Sequence, residues 1–203
     1  MKQLTLEDYA IIQPYLDKAN YEGYNSNFVT MMMWNHEYHI QYEIHEHFLV
    51  MLHHYKDTYF WAMPFTTPEY YQEALEYMKQ YSHDHGFPLM IDCAIESFVS
   101  TIQNSDFSLQ YLFERTRYND DYIYDKEMLQ TLSGKKMQKR RNHYNAFLKN
   151  YPDYEYRDLD MTNDFDTILS CLNRWEGEKD GISESMTSEV RGIISLLSSK
   201  HLL

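Results

Sequence analysis

From Tyr38 onward the hydrophobic period of the chain is two. Tyr38, Ile40, Tyr42 and Ile44 alternate with His39, Gln41, Glu43 and His45, the pattern of a half-buried strand and not of a helix face. Phe48 to Tyr55 and Thr58 to Met63 read as two further strands, linked near Lys56-Asp57, so three consecutive strands form an antiparallel meander. Before the meander the period is that of a helix. Leu6, Tyr9, Ile12 and Leu16 share one face of a helix that starts at Thr5 or Leu6 and contains Pro14. Phe28, Met31, Met32 and Trp34 mark a second helix, with Ser26 as its cap.

After the meander, Thr67-Pro68-Glu69 supplies a cap, a proline at the first position and an early acid, and Tyr71, Leu75 and Met78 carry a helix on to Gly86. Leu89 to Asp92 reads as a strand, Ala94 to Gln103 as a helix, Phe107 to Arg115 as a strand and Tyr122 to Tyr124 as a weaker one. Asp125 to Leu132 is a short helix. Tyr154 to Leu159 reads as a strand, and helices over Asp164 to Glu176 and Glu184 to His201 are separated by a turn at Gly177 to Gly181. Lys2 to Thr5 opens the chain as a short strand. The expected class is α/β with a mostly antiparallel mixed sheet.

A length of 203 residues with 43% hydrophobic content supports one large or two small domains with real cores. No N-terminal apolar run and no stretch near 18 apolar residues is present, which argues against a signal peptide and a membrane span and for a cytoplasmic setting. Cys93 and Cys171 stand far apart and fit reduced thiols, with Cys93 read as a buried structural thiol. A net charge of −13 argues against wholesale coating of nucleic acid. Twenty tyrosines suit half-buried strand faces and helix flanks, where the ring packs and the hydroxyl stays wet.

Against that acidic background Ser133 to Pro152 contains no acid at all, and five of the 18 Lys and Arg lie between Lys135 and Arg141. Met137, Tyr144, Leu148 and Tyr151 recur at helical spacing, with Ser133 as N-cap and Pro152 as terminator. Arg140, Arg141 and Asn145 fall beside that apolar stripe and are expected to be partly buried, whereas Lys139 points away. Lys135 and Lys136 in a first turn oppose the helix dipole with no acid to offset them. Two readings stand: a solvated basic face, or an anion site in which Lys135, Lys136, Arg140 and Arg141 meet a phosphate or carboxylate while Asn142 and Asn145 orient it. It is not a P-loop, because the first glycine of that pattern would fall on Leu129.

Other chemistry is weaker. His45-x-His47 and His83-x-His85 invite a metal, but no third ligand follows from spacing and no metal is expected. Asp120 and Asp121 are neighbours that point apart and read as a solvated turn after Asn119. No catalytic base can be named.

The order strand, two helices, three-strand meander, helix, strand, helix and two further strands resembles the acyl-CoA N-acyltransferase (GNAT) fold. That family's usual pyrophosphate loop, Gln/Arg-x-x-Gly-x-Gly/Ala, would fall on Met63-Pro64-Phe65-Thr66-Thr67-Pro68. This stretch has no glycine and two prolines without N–H donors, so no acyl-CoA cofactor is expected there. Gly134-Lys135-Lys136, Arg140-Arg141-Asn142, Asn145 and Phe147 resemble the signature of the C-terminal domain of phosphatidylglycerol lysyltransferases, and Trp175 with Glu189 and Ile193 resembles that family's next helical pair. Those domains are tandem GNAT folds, similar to the Fem-type aminoacyltransferases.

The resemblance implies a GNAT-like module over residues 1–124, a helical connection with the basic helix over 125–152, and the start of a second, incomplete GNAT-like module over 153–203. It implies an aminoacyl- or acyltransferase whose donor is an aminoacyl-tRNA. The alternative is a module without chemistry that docks an anionic partner through the basic helix at 134–149. Ile182, Ile193, Ile194, Leu196 and Leu197 must bury their apolar faces against the first module, against another copy or not at all. Self-association through 184–203, and no turnover from these residues alone, are the accompanying expectations.

Overall fold

The computed structural model describes residues 1–106, 108–117, 120–178 and 184–198. Five strands form one sheet in sequence order: β1 (Lys2–Gln3), β2 (Gln41–Ile44), β3 (Leu49–Tyr55), β4 (Thr58–Ala62) and β5 (Ile91–Asp92). The first four pair antiparallel, and β4 pairs with β5 in parallel, in the register Trp61 to Ile91 and Ala62 to Asp92. Tyr55 opposes Thr58, so β3 and β4 are joined by the two residues expected, and Lys56 takes a left-handed φ of 54° to close so short a turn. A parallel pair needs a crossover, which α3 (Tyr71–Asp84) supplies.

The central strand explains where the core lies. Phe48 to Leu52 is buried without interruption, as a strand covered on both faces must be. Val50, Leu52 and Trp61 pack with Tyr71, Leu75 and Met78 of α3 and with Phe98 and Ile102 of α4 (Glu96–Gln103). Leu49 and Met51 point the other way, to Ile12 and Leu16 of α1 (Tyr9–Ala19) and Phe28 and Met31 of α2 (Phe28–Tyr38). The order strand, two helices, meander, helix, strand, helix is therefore present as read.

Boundaries differ where local chemistry decides them. Asn27, not Ser26, caps α2, its side chain accepting from the N–H groups of Val29 at 2.9 Å and Thr30 at 3.3 Å. Tyr38 closes α2 and does not open β2, because His39 turns left-handed at φ 42° and ends the helix there. The N-terminal turn is held by Asp8, whose buried carboxylate accepts from Lys2 at 2.5 Å, from Tyr42 at 2.9 Å, and from the Thr5 N–H and hydroxyl at 2.9 and 2.8 Å.

Three expected strands are corrected. Residues 108–110 form a 3-10 turn and 111–116 are irregular, with Phe107 outside the described residues. Neither Tyr122 to Tyr124 nor Tyr154 to Leu159 is a strand, and Tyr122 and Tyr156 are almost fully exposed. Alternation is necessary for a half-buried strand but not sufficient, since a strand exists only where a neighbour accepts its hydrogen bonds.

The chain divides into two compact units, Met1–Asn119 with Met161–Leu203, and Asp120–Asp160. The first contains the sheet together with α7 (Met161–Gly177) and α8 (Glu184–Ser198); the second contains α5 (Lys126–Thr131) and α6 (Gln138–Asn150). Of the three arrangements open to the last helix, the structure holds the first, with α8 against α2. Ile182 and the turn through Gly181 lie outside the described residues. Among the described residues no helix is long and apolar enough to cross a membrane.

Candidate functional site

The acid-free segment begins where α5 ends. Asp125 caps α5 by accepting from the Met128 N–H at 2.7 Å, and Leu132 leaves it in a left-handed turn, φ 49°. Gly134 then takes φ 80°, a conformation that suits glycine, and occupies the cap position expected of Ser133. Lys135–Met137 form one 3-10 turn before α6 proper. No side chain caps that turn.

The six residues read as an anion site divide into two groups. Arg141 is half-buried and donates to the backbone carbonyls of Leu132 and, at 2.8 Å, Gly134. It thereby ties α6 to the two left-handed residues before it. Arg140 is exposed, donates to the Tyr124 hydroxyl at 2.9 Å and lies 4.6 Å from the centre of that ring. Lys135, Lys136, Asn142 and Asn145 are exposed and make no side-chain hydrogen bond or ion pair among the described residues, and the same holds for Lys139.

The partial burial expected of Arg140 and Asn145 is thus corrected, and that of Arg141 is observed. The buried line of the segment is narrower than the apolar pattern: Met137 is buried, Leu148 and Arg141 are half-buried, while Tyr144 and Tyr151 stand 51% and 60% exposed. Tyrosine tolerates either side of such a boundary, so its spacing overstates the buried arc.

The histidines are spent on rings. His45 stacks on Phe48 at 4.4 Å and His47 on Tyr70 at 4.2 Å, so the pair diverges; His85 stacks on Tyr81 at 3.9 Å, and His83 meets Asp84 at 3.2 Å. Among the described residues no group of three or more His, Cys, Asp or Glu could hold a metal ion. Glu43 lies 3.3 Å from both the Met1 α-amino group and the His45 Nε2, and burial together with this carboxylate pushes the Tyr77 phenol up. Cys93 is exposed, not buried, and sits left-handed at φ 55° immediately after β5.

One constellation has no signature in the sequence. Ser188 on α8 is buried and donates to Glu37 at 2.7 Å, and His36 places its Nε2 3.0 Å from the same hydroxyl and its Nδ1 3.0 Å from the Met33 carbonyl. The residue types are those of a nucleophile triad, but the connectivity is not. In a triad the carboxylate orients the imidazole and the imidazole takes the serine proton, whereas here the hydroxyl donates its hydrogen bond to the carboxylate and the carboxylate does not orient the imidazole. The arrangement is a tie between helices.

The loop expected to lack a pyrophosphate cradle is committed internally. Phe65 exchanges both backbone hydrogen bonds with Leu49, at 2.9 and 3.1 Å, and the Tyr21 hydroxyl reaches the carbonyls of Pro64 at 2.7 Å and Thr66 at 3.0 Å.

Fold and composition together define a mixed α/β protein with a five-stranded, mostly antiparallel open sheet and a basic helix in a second compact unit. The sequence matches the family described as phosphatidylglycerol lysyltransferase, C-terminal, over residues 18–202, and the chain belongs to that family. Its fold is similar to that of a conserved protein of unknown function from Bacteroides thetaiotaomicron VPI-5482, seen in a crystal structure, with a TM-score of 0.80 at 23% identity. The match covers 97% of this chain and 66% of that one, so this chain spans about two thirds of its neighbour's length. No curated protein matches the sequence.

Proposed function

We propose that this chain serves the transfer of an aminoacyl or acyl group from an activated carrier to an amine or hydroxyl acceptor, with aminoacyl-tRNA as the donor. Membership of the phosphatidylglycerol lysyltransferase C-terminal family over residues 18–202 carries the reading. An aminoacyl ester is already activated and needs no protein nucleophile, so the protein's task is positioning and charge. Lys135 and Lys136, exposed and unpaired among the described residues, suit the donor's phosphates. Arg141 holds the backbone that presents them, and Asn142 and Asn145 offer amides on the same helix.

A donor without CoA is supported by the loop after β4, in which two positions are prolines without an N–H, the Phe65 N–H is engaged by Leu49, and the Pro64 and Thr66 carbonyls are engaged by Tyr21. A cytoplasmic setting, where aminoacyl-tRNA is available, belongs to the same proposal. A second reading, an anion-docking module without chemistry, is favoured by the absence of any carboxylate from Ser133 to Pro152 that could serve as general base.

Mass spectrometry of natively purified protein, followed by a transfer assay with aminoacyl-tRNA and amine or hydroxyl acceptors, tests the proposal. Protein-dependent product is expected, with a several-fold higher KM for the donor in the K135Q/K136Q variant. Failure to form aminoacyl product with any acceptor overturns it in favour of docking alone.

A further inference from the structure

The contact between α2 and α8 turns on one backbone atom. The Met33 carbonyl oxygen is what a Cβ added at Gly192 of α8 would strike, and the same oxygen lies 3.0 Å from Nδ1 of His36. The other ring nitrogen, Nε2, lies 3.0 Å from the Ser188 hydroxyl oxygen, which in turn lies 2.7 Å from Glu37 Oε2. Three contacts in series therefore join Met33, His36, Ser188 and Glu37. Each is at a hydrogen-bond distance and needs one hydrogen between its two atoms.

The hydrogens available fix the state of the ring. A backbone carbonyl only accepts, so Nδ1 must carry a hydrogen to meet Met33. An ionised carboxylate also only accepts, so the single hydroxyl hydrogen of Ser188 goes to Glu37. A neutral imidazole has no second N–H, and its Nε2 lone pair would then face an oxygen with no hydrogen left to give. An imidazolium has two and satisfies all three contacts. The extra hydrogen belongs to the ring and not to the carboxyl, since an ordinary carboxylic acid ionises about two pH units before an imidazolium does.

We infer that the α2–α8 tie is a proton lock, complete only when His36 is an imidazolium balanced through the Ser188 hydroxyl by the Glu37 carboxylate. On α8, Glu189 and Arg191 lie near Ser188 but are exposed and make no ion pair among the described residues. The other elements meet α2 elsewhere: α1 through Tyr9 on Phe28, β1 through Gln3 at Asn35, and β3 through His53 and Tyr55 on Tyr38. Burial pushes the Tyr38 phenol up, with Tyr24, Tyr55, Glu37 and Asp92 adding to it, so that neighbour stays neutral. Deprotonation of His36 forces Ser188 to choose between Nε2 and Glu37, and one contact is lost whichever it takes. A group that takes up a proton on docking contributes its stability at low pH and loses it as pH rises. The hold of α8 on α2 therefore weakens on the alkaline side.

Two measurements on the whole chain test the lock between about pH 5.5 and 8.5, the range in which an imidazole changes charge. Nitrogen NMR of the His36 ring should show a hydrogen on both nitrogens at pH 7, and Ser188→Ala should move the midpoint of that titration down by about one pH unit. Hydrogen exchange, corrected for the intrinsic rate, should show wild-type α8 amides losing about tenfold in protection across the range. His36→Gln, whose amide donates to Ser188 at any pH, should change by less than about twofold. An Nε2 without hydrogen at pH 7 while α8 remains protected, the same midpoint in wild type and Ser188→Ala, or the same exchange response in wild type and His36→Gln overturns the inference.

Discussion

A Cβ at Gly192 would lie 2.1 Å from the backbone oxygen of Met33. No real side chain occupies such a distance, so α8 approaches α2 as closely as it does because Gly192 has no side chain. Gly192→Ala must push the helices apart, at a cost of about 1–3 kcal/mol. Gly177, whose added Cβ would meet nothing within 4 Å, supplies the control: Gly177→Ala should be neutral or stabilising by up to about 1 kcal/mol. Parallel thermal melts check the pair, and equal effects would show that α8 does not depend on the contact.

Asp8 gives the fold an acid-side dependence. Burial alone would raise its carboxyl, but hydrogen bonds from Lys2, Thr5 and Tyr42 outweigh burial and hold it at about 2, below an ordinary value of 3.8. A depressed carboxylate contributes its stability in full above about pH 4 and loses it as pH falls through 2. Asp8→Asn should therefore cost about 2 kcal/mol at pH 7. Urea melts from pH 7 down to 1.5 should show wild type and variant converging at the acid end; a difference that does not change with pH would refute the assignment.

Arg141 and Lys139 are two residues apart on one helix and should behave differently. Arg141→Ala leaves the carbonyls of Leu132 and Gly134 without their charged donor and should cost about 1–3 kcal/mol. Lys139→Ala should stay within about 0.5 kcal/mol. Hydrogen exchange of the α5 and α6 amides resolves the effect within that unit, and comparable protection in both variants would contradict it.

The Tyr21 hydroxyl bridges the carbonyls of Pro64 and Thr66, and burial pushes its phenol far up, so it remains a donor at any ordinary pH. Tyr21→Phe should cost about 1–2 kcal/mol and open the 63–68 loop to limited proteolysis. Unchanged cleavage would mean that Leu49 pairing alone holds the loop.

What was legible in the sequence was whatever depends on neighbours along the chain. The strand over Phe48 to Tyr55 and the Thr67-Pro68 helix start appear where they were read, and the alternation that ends at Ile44 does so from Gln41 onward. Expectations failed where the deciding partner is distant or is backbone. The alternating residues of 154–159 look like a strand until one asks what they pair with, and no composition records that answer. Arg141 binds carbonyls, which every residue has, so its partners leave no mark in the sequence. The rotation of the buried line on α6 away from Tyr144 was hidden for a related reason: tyrosine counts as apolar in a pattern and behaves as amphipathic at a surface.

The α2–α8 tie also sets an order of events during synthesis. Ser188 follows His36 by 152 residues, so at 5–20 residues per second the outer face of α2 waits roughly 8–30 s for its cover to be made. Throughout that interval the sheet and both its flanking layers can assemble, but this one helix surface stays open to other chains. It carries His36 and Glu37, which tolerate water, and their late partner is the Ser188 hydroxyl, which donates to Glu37. A nascent chain stalled before α8 would expose Met33 there beside the polar His36 and Glu37.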